Sequence, residues 1–255
     1  ATFVNLLLNA SRQRDVSIYI VLTMRSSFIG NCTEFRGLPE AINDGQFLIP
    51  RMKIEELKKV IISPIKASGA SIDPDLVNRI ISDMGEDFDD LPILQHAMMR
   101  TWDNWVETDG FNDISIPIGI KHYEAVGGIK KALSIHAEEA FSALKVKDSP
   151  ELTKEKEVIC ERMFRALADK SNEGKATRRP VLVREIMAIC GVPLASVVPV
   201  ITTFSKPGRL FLNAPAAADI EEDTSINIAH ESLITKWERL SKWVDEEFES
   251  AETCQ

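Results

Sequence analysis

A mainly α chain that opens on a short α/β fragment and closes on a winged helix-turn-helix is the fold this sequence predicts, on three observations. From Lys53 onward apolar residues recur at helical spacing. Before that point, Val16 to Thr23 is a dense β-branched run of the kind buried in a parallel sheet. After residue 155 the apolar segments follow the order helix, helix, hairpin, helix.

Residues 3 to 10 read as a helix, residues 16 to 23 as a strand, residues 33 to 42 as a helix and residues 47 to 50 as a second short strand. This makes one βαβ fragment of an open sheet, whose other strands are expected upstream. Ile54, Leu57, Val60 and Ile61 then line one helix face ahead of Pro64. Asp73 and Pro74 supply a cap and a first-turn proline to a helix carrying Leu76, Val77, Ile80, Ile81 and Met84. Leu94, Met98, Trp102 and Trp105 mark a third helix, and Ile129, Leu133, Ala137, Phe141 and Leu144 a fourth, with a polar stretch from Thr108 to Gly128 between them. Four such helices make a small bundle.

The polar residues 149 to 154 mark a boundary, followed by a helix over 155–169 and a loop from Asn172 to Thr177. Helices over 183–190 and 194–204 come next, then a hairpin that joins residues 209–213 to 225–229 around an acidic, alanine-rich wing. The last helix, from Glu231 to about Phe248, carries Leu233, Trp237, Leu240 and Trp243 as a packing stripe. The expected domains are therefore 1–50, 51–148 and 149–255.

Composition narrows the function classes. The 255 residues carry a formal net charge of −9, which disfavours phosphate backbones and anionic membranes, and no local run of Lys or Arg offsets it. The four cysteines are widely spaced among apolar neighbours, so they read as reduced core thiols in a cytoplasmic protein. The apolar start, Phe3 to Leu8, is too short to span a bilayer and has no basic leader, so no membrane role is expected. A start inside an apolar segment also gives the expectation that residues precede Ala1.

Chemistry-bearing motifs are sparse. The run Gly174-Lys-Ala-Thr imitates a phosphate loop, but Asp169 stands where its first glycine belongs and Ala176 where the Mg²⁺-binding hydroxyl belongs. Arg25 ends the first strand, where open α/β sheets face their ligand crevice; it is a phosphate-sensing candidate or an arginine that pairs with a neighbouring helix. Pro92 sits in a first helical turn, as a ligand contact or as plain helix initiation. His230 stands where strand gives way to helix, as a phosphate donor or a cap. His96 reads as structural or surface, and Glu138 and Glu139 as solvated charges. No catalytic triad and no metal set can be assembled.

Four segments in order, Val21 to Gly30, Asp90 to Ala97, His122 to Ile129 and Ala229 to Trp237, resemble the bacterial STAND signal-transduction ATPases often fused to WD repeats. The resemblance spans nearly the whole chain and implies the end of a P-loop NTPase core, a helical lid and a winged helix. It implies a switch that holds ADP when closed, exchanges it for ATP, oligomerises and activates an effector. By that likeness Arg25 is the sensor arginine, Pro92 packs on adenine, and His230 reaches the β-phosphate of ADP. The chain departs from the pattern where Asp90 and Leu91 replace the glycine before the proline, and in lacking Walker A and Walker B segments. Mg-bound ADP or ATP is thus expected in the parent protein, with none held tightly by this chain alone. The expected partners are an upstream P-loop core, sensor repeats, an effector domain and further copies of the protein. A winged-helix DNA-binding regulator is the alternative, but the helix over 194–204 carries no Lys or Arg to meet phosphates.

Overall fold

The chain folds as two units that part after Arg51, and the computed structural model describes residues 2–24, 28–85, 91–170 and 176–253. Among these residues the structure is mainly helical, with five short strands.

In the first unit, α1 (Thr2–Ser11) and α2 (Leu38–Gly45) flank a 3₁₀ turn at Gly30–Glu34. Leu8, Cys32 and Leu38 form its small core, with Val4, Phe35 and Ile42 packed around them. The helix expected over 33–42 starts late because Gly37 takes a left-handed φ of +87° immediately before it. The expected βαβ fragment is not formed by the described residues. Residues 17–24 and 46–50 belong to no helix and no strand, and Tyr19, Val21 and Phe47 are 90%, 86% and 84% exposed. The physical reason is that a strand exists only through its ladder, and no described segment of this unit lies alongside either run to supply one.

The second unit begins with α3 (Ile54–Ala67), whose first turn is closed by Glu56 accepting the Lys53 N–H at 2.8 Å and which continues through Pro64. Asp73 caps α4 (Pro74–Met84), its carboxylate accepting the Asp75 N–H at 3.0 Å, and Pro74 occupies the first turn where its missing N–H costs nothing. Next come α5 (Leu91–Trp105), a π-helical turn at Val106–Gly110, α6 (Ile120–Ala125) and α7 (Gly128–Ser142). Leu57, Ile61, Leu76, Ile80, Leu94, Trp105 and Tyr123 form the core that α3 to α6 share.

The polar stretch between α5 and α7 contains α6 and is anchored by two buried side chains, His122 within it and Trp105 at the end of α5. His122 accepts the Gly119 N–H at Nδ1 (2.9 Å) and donates from Nε2 to Asp109 (2.8 Å), while Trp105 donates to the Ile116 carbonyl at 3.0 Å. Hydrogen bonds from Lys121 and then from His122 hold the Asp109 carboxyl below the usual range.

The C-terminal part runs α8 (Pro150–Leu167), β1 (Ala168–Lys170), β2 (Ala176–Arg178), β3 (Val181–Leu182), α9 (Val183–Cys190) and α10 (Leu194–Ser205). It ends with β4 (Leu212–Asn213), β5 (Ser225–Ile228), α11 (Ser232–Lys236) and α12 (Glu238–Thr253). Strands β4 and β5 form the expected antiparallel hairpin, with Leu212 opposite Ile228, and β3 adds to the other edge of β5. The β1–β2 pair replaces part of the expected loop, whose residues 171–175, including most of the false phosphate loop, lie outside the described residues. The single last helix is in fact two, broken at Trp237, whose indole is fully buried against Phe164 and Phe204 with ring centroids 5.1 and 5.9 Å away. Helix α7 also enters this core, through Leu133, Ala137 and Ala140, as does Leu144 in the turn that follows it.

Candidate functional site

Pro92, Gln95, Met98 and Trp102 follow one another along one face of α5, and they form a wall of a cavity of about 560 Å³. Val60, Ile61, Pro64 and Ile65 of α3 also line it, as do Met52 and Ile118. The volume is that of a small-molecule site, and the chemistry is apolar and aromatic, with the Gln95 amide and the Ser68 hydroxyl as polar side-chain groups. Ser68 already donates to the Pro64 carbonyl at 3.1 Å. Asp90, which precedes this wall, lies outside the described residues.

His230 sits between β5 and α11. Its Nδ1 accepts the Ser232 N–H at 3.2 Å and lies 2.8 Å from the Ser232 hydroxyl, so the proton of the neutral ring is carried by Nε2. This bond ties His230 to the first residue of α11 and leaves Nε2–H as the ring's donor. Arg178 of β2 holds the preceding backbone, donating to the carbonyls of Ile228 (3.1 Å) and Ala229 (2.9 Å). Sequence reasoning passed over Arg178, because its partners are main-chain carbonyls about fifty residues away.

Pro92 and His230 lie on separate elements and no described contact joins them. Arg25 lies outside the described residues. Among the described residues no group of three or more His, Cys, Asp or Glu is arranged to hold a metal ion. Cys160 is buried and its thiol is pushed up by desolvation, and Cys32 and Cys190 are also free thiols.

Several polar side chains expected to face water instead tie the unit together. Glu138 accepts two bonds from Arg239 (2.8 and 2.7 Å) and one from the Trp237 indole (2.7 Å), and the Arg239 bond, with Trp237 second among the bonds, holds its carboxyl below the ordinary range. Both carboxylate oxygens of Glu139 accept from one guanidinium nitrogen of Arg100, at 2.8 and 2.9 Å. The reading of Glu138 as a solvated charge is corrected, because it is half-buried and bonds both Trp237 and Arg239, whereas Glu139 stays exposed while it pairs with Arg100. His96 meets a second histidine, its Nε2 3.3 Å from His136 Nδ1, with Phe211 packed on both rings.

The whole chain, residues 1–255, matches the family model described as novel STAND NTPase 1. The chain belongs to this family. Neither the curated proteins nor the solved structures give a match. Membership in a STAND NTPase family links the chain to nucleotide-dependent chemistry, and the mainly helical fold agrees with the class expected from the sequence. No single helix among the described residues is long and apolar enough to cross a membrane.

Proposed function

We propose that this STAND NTPase chain is the switch segment of a nucleotide-gated signalling ATPase, with residues 51–148 as a helical lid and residues 149–255 as a winged helix. The observation that carries the reading is the cavity beside Pro92. In a member of an NTPase family, an apolar slot with the flat faces of Pro92 and Trp102 and one amide at its side suits a purine ring. Gln95 has both a donor and an acceptor, as the adenine edge requires. His230, with its proton on Nε2, is the donor assigned to the β-phosphate of ADP, and Arg25 is the sensor of the terminal phosphate.

An upstream P-loop core supplies the phosphate loop and Mg²⁺, and sensor repeats and an effector domain complete the protein, which works in the cytoplasm. The physical logic is population shift: nucleotide favours the arrangement in which core, lid and winged helix all contact it, by the difference in contact energy between arrangements. Release of that bias yields the oligomer.

Photo-crosslinking of the full-length protein with 8-azido-ATP tests the reading. The label should map to the peptide that carries residues 91–105 and be competed by ADP. Labelling that leaves residues 52–105 unmodified would contradict the assignment.

A further inference from the structure

Strand β5 leads into His230 at a point where the neighbouring strand can no longer hold it. Val181 of β3 stands opposite Ile226, and Leu182 opposite Ser225. Continued in the same register, Pro180 would face Asn227, Arg179 would face Ile228 and Arg178 would face Ala229. Pro180 has no N–H to give, and the Arg179 N–H goes instead to the Leu167 carbonyl at 2.8 Å. Backbone pairing on this edge of β5 therefore stops short of Ile228.

The Arg178 side chain takes over from it. One guanidinium nitrogen, Nη1, donates to the carbonyls of Ile228 and Ala229 at 3.1 and 2.9 Å. These carbonyls belong to the two peptide planes that deliver the chain into His230. The first plane is held at both ends, because its N–H, that of Ala229, donates to the Phe211 carbonyl at 2.9 Å. The second plane carries the His230 nitrogen, and Arg178 holds its carbonyl. A peptide unit is rigid, so turning this plane would swing the Cα–Cβ bond of His230 and the ring with it.

On the far side, the Ser232 N–H meets Nδ1 at 3.2 Å and the Leu233 N–H meets the His230 carbonyl at 3.0 Å. The histidine is thus held between the start of α11 and a side chain about fifty residues earlier. Arg178 is itself exposed and takes no part in the apolar core, so its two bonds act locally at this junction.

We propose that Arg178 is a positioning residue for His230: by holding the Ile228 and Ala229 carbonyls it aims the Nε2–H at the diphosphate of ADP, and it acts through the histidine without touching the nucleotide. The inference rests on the reading of His230 as the phosphate donor. A donor that is present but misaligned forfeits much of its bond, which is why a residue two steps from the ligand can matter.

ADP release from the full-length protein, measured for Arg178→Ala, His230→Asn and the double variant, tests it. Arg178→Ala should speed release by about three- to tenfold, a part of what loss of a charge-assisted bond gives. The double variant should release ADP within about twofold of His230→Asn alone, since a histidine that is gone needs no aiming. Arg178→Lys should stay close to the wild-type rate, because one ammonium can donate to both carbonyls as the one guanidinium nitrogen does. Rates that multiply in the double variant, or release from Arg178→Lys as fast as from Arg178→Ala, would mean that Arg178 acts by more than these two bonds and would overturn the proposal. Fast release from His230→Asn with wild-type release from Arg178→Ala, even at a lowered melting temperature, would overturn it while leaving the phosphate contact standing. Wild-type release from His230→Asn would remove that contact and the proposal with it. If Arg178→Ala does not fold, Arg178→Gln, whose amide is a weaker donor, takes its place in the same cycle.

Discussion

Acidification from pH 7.5 to 5 should weaken the second unit through the His96–His136 pair. Burial, and then the charge of Arg100, brings His96 down to about 4. Burial, followed by Arg100, His96 and Arg209, brings His136 down to about 3. Both values lie below the ordinary histidine value of 6.5, so in the acid range the unfolded chain binds protons that the folded chain does not. The stabilisation is therefore complete above about pH 6.5 and is lost as pH falls toward 4 and then 3. At pH 5 an unfolded imidazole is almost fully charged and its folded counterpart neutral, a difference of about 2 kcal/mol for each histidine. The two rings interact, so about 4 kcal/mol is a ceiling for the pair. All four tryptophans lie in this unit, so tryptophan fluorescence during urea unfolding follows it without the first unit. The wild-type midpoint should fall between pH 7.5 and 5, and a His96→Leu/His136→Leu variant should lose most of that slope. An equal slope in both chains, or no slope in the wild type, would refute the argument.

Glu138→Ala should destabilise the same unit by about 2 kcal/mol, because it strips the buried Trp237 N–H and Arg239 of a charged acceptor at once; urea unfolding monitored by fluorescence measures it. This chain alone should show no Mg²⁺-dependent ATP turnover, since no phosphate loop is present in its sequence. Steady-state turnover abolished by chelation would contradict that expectation. Binding to duplex DNA should be weak and disappear near physiological salt, given the net charge of −9 and a helix α10 without Lys or Arg; a fluorescence-anisotropy titration checks it, and sub-micromolar sequence-dependent affinity would favour a DNA-reading role.

The helices of the second unit were legible because each buries one stripe. Leu76, Val77, Ile80 and Met84 lie on the buried face of α4 as their spacing requires, and Asp73 caps it as its position suggests. The run from Val16 to Thr23 misled for a physical reason: β-branching reports fitness for a sheet, and the ladder must come from elsewhere in space. Helix α6 was hidden because it is only six residues long and its buried members, His122 and Tyr123, are polar side chains satisfied by Asp109 and Asp83 outside the helix. At the site, the spacing of Met98 and Trp102 identified a helix face but not which part of that face is left open as a cavity, since that depends on α3. The ties from Glu138 to Arg239 and from Arg178 to the Ile228 carbonyl join residues about 101 and 50 positions apart, and no local pattern encodes them.

The rate of ADP dissociation from the full-length protein, measured for His230→Ala and His230→Asn, tests the switch most directly. His230→Asn keeps an oxygen that can cap Ser232 but lacks the Nε2–H donor. Loss of a hydrogen bond to a charged phosphate, roughly 1.5 to 3 kcal/mol, should speed release by about one to two orders of magnitude in both variants. The account predicts that ADP leaves faster from both, with the thermal stability of His230→Asn close to wild type. An unchanged off-rate in His230→Asn, with only His230→Ala losing stability, would show that the histidine is a cap and would contradict its place in the nucleotide switch.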